Sequence, residues 1–225
     1  MRFVWVLLLC LAACGRPLTP GEVSFASTIY GDQLDPSRVR LINGHFARSF
    51  TFRYPKRPRV TCQERVFPPV EDEFVTSSPA ATTLFNRIFL RQDLFLEDYT
   101  EEFVPGTNLY ALMLFAHEIA HVWQWQNRKR THYNPLKAAQ EHGGGADPYL
   151  FDLQSDARFL DYPYEQQASI VEEFVCCRAL APKAARTGRL HDLLAQELPV
   201  ALLQSRVDAL AVVPWRDAQT RGICD

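Results

Sequence analysis

From Thr107 to about Arg128, the apolar residues Leu109, Leu112, Met113, Ala116, Ala120 and Trp123 recur at three- and four-residue intervals. That spacing aligns them on one face of an α-helix. Thr107 directly follows Pro105-Gly106 and is a suitable N-cap. A second helical stretch, Glu165 to Leu180, opens after Asp161 and Pro163 and is stopped by Pro182. A last one covers about 190–211 and is broken at Pro199. The first half of the chain reads differently. Val39 to Ile42 and His45 to Phe52 are β-rich runs on either side of Asn43-Gly44, which predicts a hairpin. Leu84 to Leu90 predicts a further strand from its Phe and Ile content. Residues 53–80 carry Pro55, Pro58, Pro68, Pro69 and Pro79 and are expected to be mostly irregular, as is the glycine-rich loop from Glu141 to Pro148. No internal repeat is visible. The pattern predicts one α+β domain over residues 37–225, mostly helical, with a small β portion at its N-terminal side.

Composition narrows the function. A chain of 225 residues, 47% hydrophobic, is long enough for a full core, and disorder is excluded. A formal net charge of −2 leaves no basic excess to neutralise phosphates, so nucleic acid is not an expected partner. No apolar run reaches the roughly 20 residues that span a bilayer. Instead, Met1-Arg2 precedes a short apolar run that ends in Leu11-Ala12-Ala13-Cys14-Gly15. Residues 1–13 have the form of a secretory signal peptide. The Leu-Ala-Ala-Cys string resembles the bacterial lipobox, which implies lipid on Cys14 and, with Gly15 following, an outer-membrane protein facing the periplasm. Residues 14–36, with Pro17, Pro20, Gly21, Gly31 and Pro36, then read as a tether. Four cysteines remain in the body of the exported chain: Cys62, Cys176, Cys177 and Cys224. An even number in such a chain suggests disulfides. Joining the neighbours Cys176 and Cys177 would be strained, so both remaining pairings tie Cys62 and Cys224 separately to that pair.

The chemistry is concentrated in His117-Glu118-Ile119-Ala120-His121, in the middle of the first predicted helix. Residues four apart lie about 40° apart around the axis and one turn up, so both imidazoles can reach one ion. Neutral imidazole suits Zn²⁺, and Glu118 is placed to reach a water at the ion without ligating it. A catalytic zinc requires a third protein ligand and an open position. Asn127 and Gln124 stand where a metzincin has His and Gly, which excludes that arrangement. The third ligand is therefore sought on the second helix, where Glu165, Ala168, Ser169, Glu172 and Cys176 share a face. Glu165 is the favoured ligand and Glu172 the alternative, with Glu173 expected to be solvated.

With His117-Glu118-Ile119-Ala120-His121-Val122-Trp123-Gln124 and Tyr164-Glu165-Gln166-Gln167, and with Asp35-Pro36-Ser37-Arg38-Val39-Arg40 upstream, the chain resembles zinc metallopeptidases of the gluzincin type. More narrowly, it resembles short bacterial metallopeptidase-like proteins found near secretion-spike (Vgr) genes. The resemblance implies a zincin-like fold, His117, His121 and Glu165 as zinc ligands, and Glu118 as general base. It also implies a strand at Leu84 to Leu90 pairing with an extended peptide. Gluzincins carry Asp four residues after the ligand Glu, to orient a His. Here that residue is Ser169, and Asp161 or Asp156 are the available substitutes. Tyr162, Tyr164, His142 and His191 are candidates to stabilise the oxyanion. The expected function is an exported, lipid-anchored zinc metallopeptidase acting on a peptide or protein substrate. The alternative is a non-catalytic binding or assembly module of the envelope. A delivered, toxin-like effector is a third reading, opposed by the lipobox.

Overall fold

A computed structural model describes residues 15–53, 59–101, 106–143, 147–213 and 215–225. The signal peptide and Cys14 lie outside the described residues. In chain order the elements are α1 (Pro20–Tyr30), β1 (Arg40–Asn43), β2 (Phe50–Arg53), α2 (Cys62–Val66), β3 (Phe74–Ser77), β4 (Ala81–Leu84) and β5 (Arg87–Leu90). These are followed by β6 (Thr107–Asn108), α3 (Leu109–Gln126), α4 (Arg128–Thr131), α5 (Pro135–Glu141), α6 (Tyr164–Leu180), α7 (Ala185–Leu194), α8 (Arg206–Ala209) and β7 (Ala211–Val212). The fold is mixed α+β, with helices outweighing strands.

The two helices expected from periodicity form the centre, α3 lying along α6. The cap of α3 is Asn108 rather than Thr107: its side-chain oxygen accepts from the Tyr110 and Ala111 N–H groups. Thr107 instead pairs in parallel with Ala211. Gly106 is required at this approach, because a Cβ there would lie 2.2 Å from the Leu210 carbonyl oxygen. The face of α3 carrying Leu112, Met113, Ala116, Ala120 and Trp123 is buried throughout. No apolar stripe distinguishes α6. Its buried residues include Glu165, Gln167, Glu172, Glu173 and Arg178 beside Ile170, Val171 and Phe174. A polar helix in the core requires partners for those groups, and the partners are what make the site and its support.

Four expectations are corrected. The segment read as a tether is folded: α1 starts with a capping box between Thr19 and Glu22 and buries Phe25, Ala26, Ile29 and Tyr30. Pro20, one of the residues behind the tether expectation, occupies the first helical position, where its missing N–H costs nothing. Phe25 packs on Phe115 and Tyr30 on Trp123, so α1 covers the outer side of α3. The hairpin about Asn43-Gly44 does not form. β1 runs parallel to β5, with Leu41 opposite Ile88, whereas β2 pairs antiparallel with β3. Leu41, Ile88 and Leu90 are all buried while Phe50 is 54% exposed, so core burial decides which partner β1 takes. Finally, the strand expected at Leu84 to Leu90 is divided by a turn at Phe85-Asn86, with Phe85 at φ +61°. The sheet order is β1-β5-β4, which leaves β4 at the edge, against α3. Residues 53–80, expected to be mostly irregular, also contain α2 and β3. Pro199 does separate α7 from α8.

The cysteines form two disulfides, Cys62–Cys176 and Cys177–Cys224. Both grip the last turns of α6, one holding it to α2 and the other to the C-terminal segment. Glu173, expected to be solvated, is 2% exposed: it accepts from the Cys62 N–H at 2.8 Å and pairs with Arg186 at 2.7 Å. Burial pushes its pKa up, partly offset by Arg186. Replacing Cys177 and Cys224 together with Ala is expected to cost about 2–4 kcal/mol of stability, read as a lower urea midpoint than the wild type. An unchanged midpoint would refute a stabilising role for that bridge.

Candidate metal centre

His117 and His121 project from the middle of α3 towards the first turns of α6, and His117, His121, Glu165 and Glu172 are each at least nine-tenths buried. Glu165 Oε2 lies 3.4 Å from His117 Nε2 and 3.4 Å from His121 Nε2. Ligand atoms around a tetrahedral ion with bonds of about 2.0–2.1 Å stand about 3.3 Å apart. One donor atom from each of the three residues falls within 4.8 Å of the others. The donor set, two imidazole nitrogens and one carboxylate oxygen, is of the kind catalytic zinc takes, and it fits such an ion. Cys62, Cys177 and Cys224 also lie close together, but their sulfurs are committed to disulfides.

Both imidazoles are oriented from behind. Gln124 gives its two amide hydrogens to the Tyr164 carbonyl and to Gln167 Oε1, at 3.0 Å each. Its own oxygen therefore faces His121 Nδ1 at 2.9 Å, so Nδ1 carries the proton and the Nε2 lone pair faces Glu165. Glu172 Oε2 plays the same part for His117 Nδ1 at 3.0 Å. This is the task expected of a residue four after Glu165. The side chain seven after it performs the task, two full turns along α6 and back on the same face. Among the described residues Ser169 makes no hydrogen bond to a His, its Oγ being buried without a partner. Asp161 pairs with Arg158 at the surface.

The ends of α5 and α6 lock Glu165 in place. Glu141 accepts from the N–H groups of Tyr164 and Glu165 at 3.0 and 2.9 Å, capping α6 from outside the helix. The next residue, His142, holds Glu165 Oε1 at 3.2 Å. The electrostatics are those of a cation site. Burial opposes charge on His117, but Glu165 and Glu172 outweigh it and hold the imidazole pKa well above its usual value. For His121, burial is likewise overcome, chiefly by Glu165. Burial would raise Glu165, yet His121, His117 and His142 keep it well below the ordinary carboxylate range. A field that favours positive charge at this point favours a divalent ion there.

Glu118 is 6% exposed and is held against β4. Thr83 donates its hydroxyl to Glu118 Oε2 at 2.7 Å. Among the described residues no contact engages Oε1. Of the oxyanion candidates, His142 stands at the site. Tyr162 and Tyr164 point their hydroxyls at the Asp152 and His132 carbonyls, and His191 packs on Phe174. Sequence reasoning missed Tyr149 and Tyr133, whose rings stand 5.9 Å from His117 and 6.1 Å from His121. It also missed Thr83 and Glu141. Gln124 was findable, because it lies three residues after His121 on the same helix.

No protein-family model matches this chain. The chain is 26% identical over 185 residues, 81% of its length, to the type VI secretion system spike protein VgrG2b of Pseudomonas aeruginosa strain PAO1. It spans only 15% of that protein. Among solved structures, the effector domain of Pseudomonas aeruginosa VgrG2b superimposes with a TM-score of 0.52 at 24% identity, covering 83% of this chain and 86% of that one. The two share a fold. These findings overturn the resemblance to gluzincins and to metallopeptidase-like proteins found near spike genes: what the chain matches is a part of a spike protein itself, described as an effector domain.

Proposed function

We propose that this chain is a zinc-dependent hydrolase of peptide bonds, with His117, His121 and Glu165 as the ligands and Glu118 as the general base. The observation that supports it best is the convergence of two rear-oriented imidazoles and a buried carboxylate beside a second carboxylate that no donor residue engages. Zinc bound there would supply Lewis-acid polarisation of the scissile carbonyl and a lowered pKa for the attacking water. The chain's own groups do the rest. Thr83 fixes Oε2 of Glu118, leaving Oε1 to take the proton from the water and return it to the leaving amine. The edge of β4, next to Thr83, offers unpaired backbone groups to an extended substrate. His142, next to Glu165, and Tyr149, next to His117, are the polar groups for the developing oxyanion.

We place this activity in the bacterial cell envelope, on a protein held by lipid at Cys14. The two disulfides support an oxidising compartment. A second reading has its own support: the shared fold with an effector domain suggests a domain delivered by a type VI secretion system. Fractionation separates the two. Anchoring predicts wild-type protein in the membrane fraction and Cys14→Ser protein outside it; equal distributions would contradict the anchor and favour delivery. The activity itself is tested by incubating zinc-loaded protein with an unstructured peptide library. Cleavage that stops on chelation and returns with zinc is expected. No cleavage across a broad library would favour the binding-module reading.

A further inference from the structure

Beside the donors, α6 and α2 enclose a small recess that the proposed chemistry leaves unused. Ser169, Glu172 and Glu173 form its buried wall, and Gln63, Tyr149 and Phe151 its more exposed one. Tyr149 stands over it and over His117 at once, so the recess opens next to the point where a substrate would react. Among the described residues the Ser169 hydroxyl is buried there with no hydrogen-bond partner, a desolvation cost that a ligand could remove. Glu173 is already neutralised by Arg186. Glu172 is not. Its Oε2 accepts from His117, and among the described residues it has no other ionic partner. The recess therefore holds a carboxylate with one partner, a hydroxyl with none among the described residues, and an aromatic rim. Its volume of about 20 Å³ admits one water-sized group. A compact ammonium with three donors suits a recess of this size better than a planar guanidinium does.

We propose that this recess binds a primary ammonium group of the substrate, with Glu172 and Ser169 as its acceptors and Tyr149 over it. As a determinant of substrate choice, it rests on the peptidase reading; as a binding site, it does not. The ammonium has two sources, a lysine side chain beside the scissile bond or the free N-terminus of the peptide.

The test selects by binding, not turnover. Zinc-loaded Glu118→Gln protein is immobilised and exposed to a random peptide library in three forms: unmodified, blocked only at the N-terminus, and acetylated at every amine. Retained peptides are then sequenced. Enrichment of at least about tenfold is expected from one charge-assisted contact. Lysine enriched at a single position of the N-blocked library identifies the side chain; retention confined to the unmodified library identifies the terminus. The fully acetylated library should show neither, and Ser169→Val, which removes the hydroxyl and fills the space, should abolish the preference. Retention indifferent to acetylation, or enrichment of apolar side chains, would overturn the proposal. Absence of cleavage by the wild type would sink the peptidase reading and leave this result standing.

Discussion

Glu118→Gln is expected to lower peptide hydrolysis by at least about 100-fold, the low end of what a general base contributes. Zinc content and stability should stay near the wild-type values. The substitution isolates proton transfer because the new amide oxygen can still accept the Thr83 hydroxyl, which donates at 2.7 Å to Oε2 in the native protein. The side chain therefore keeps its direction and loses only its proton acceptor. Glu118 acts on His121 only through its charge and forms no hydrogen bond or ion pair with His117, His121 or Glu165, so the geometry of the metal set is kept. Initial rates on a peptide library, measured side by side on protein of equal zinc content, give the ratio. Equal rates in the variant would mean that another base, or another protein, is responsible for the cleavage.

The second large effect is on stability. Arg178 and Asp208 form an ion pair at 2.9 Å in which neither side chain is exposed. Arg178 also donates to the Ala201 carbonyl and to Thr28 Oγ1, and lies over the rings of Phe25 and Phe174. One cation thus joins α6, α8, α1 and the segment after α7. Burial lowers its pKa, partly offset by Asp208. Arg178→Ala would leave Asp208 in the interior without a counter-charge, at a cost of about 3–5 kcal/mol. Asp208 additionally caps α8 through Ser205, so the damage extends to that turn. Combining Arg178→Met with Asp208→Asn removes both charges and is expected to recover part of the loss. Urea unfolding of the three proteins measures it. A single variant as stable as the wild type would show that the pair contributes nothing. Thirteen residues of helix, about 20 Å, separate Arg178 from Glu165, so zinc binding in the folded fraction should persist.

What the sequence disclosed and what it withheld follow from the range of the interactions. His117, Glu118 and His121 are local to one helix, and their spacing alone places two imidazoles on one face. The existence of α3 and α6 was legible for the same reason. The disulfide alternatives were narrowed because neighbouring cysteines rarely bond to each other, and the structure chooses one of the two that remained. The misses are long-range. Thr83 reaches Glu118 across 35 residues and Glu141 caps α6 from 24 residues upstream; no local pattern announces either contact. The hairpin expectation failed because Asn-Gly identifies a turn but not the partner that core burial selects for Leu41. Proline misled at α1, where the first helical position tolerates it. Glu173 was read as solvated from residue type alone, although a buried backbone N–H and Arg186 give it partners.

The central claim is a zinc site made by His117, His121 and Glu165. Its most direct test is the zinc content of purified protein by elemental analysis, for the wild type and for His121→Ala, Glu165→Ala and Glu172→Ala. One zinc per chain is expected in the wild type, none in His121→Ala, and a strongly reduced content in Glu165→Ala. Glu172→Ala should retain zinc with affinity lowered about 10- to 100-fold, the effect of losing a partner that orients a ligand. Zinc absent from the wild type, or undiminished in His121→Ala, would contradict the account.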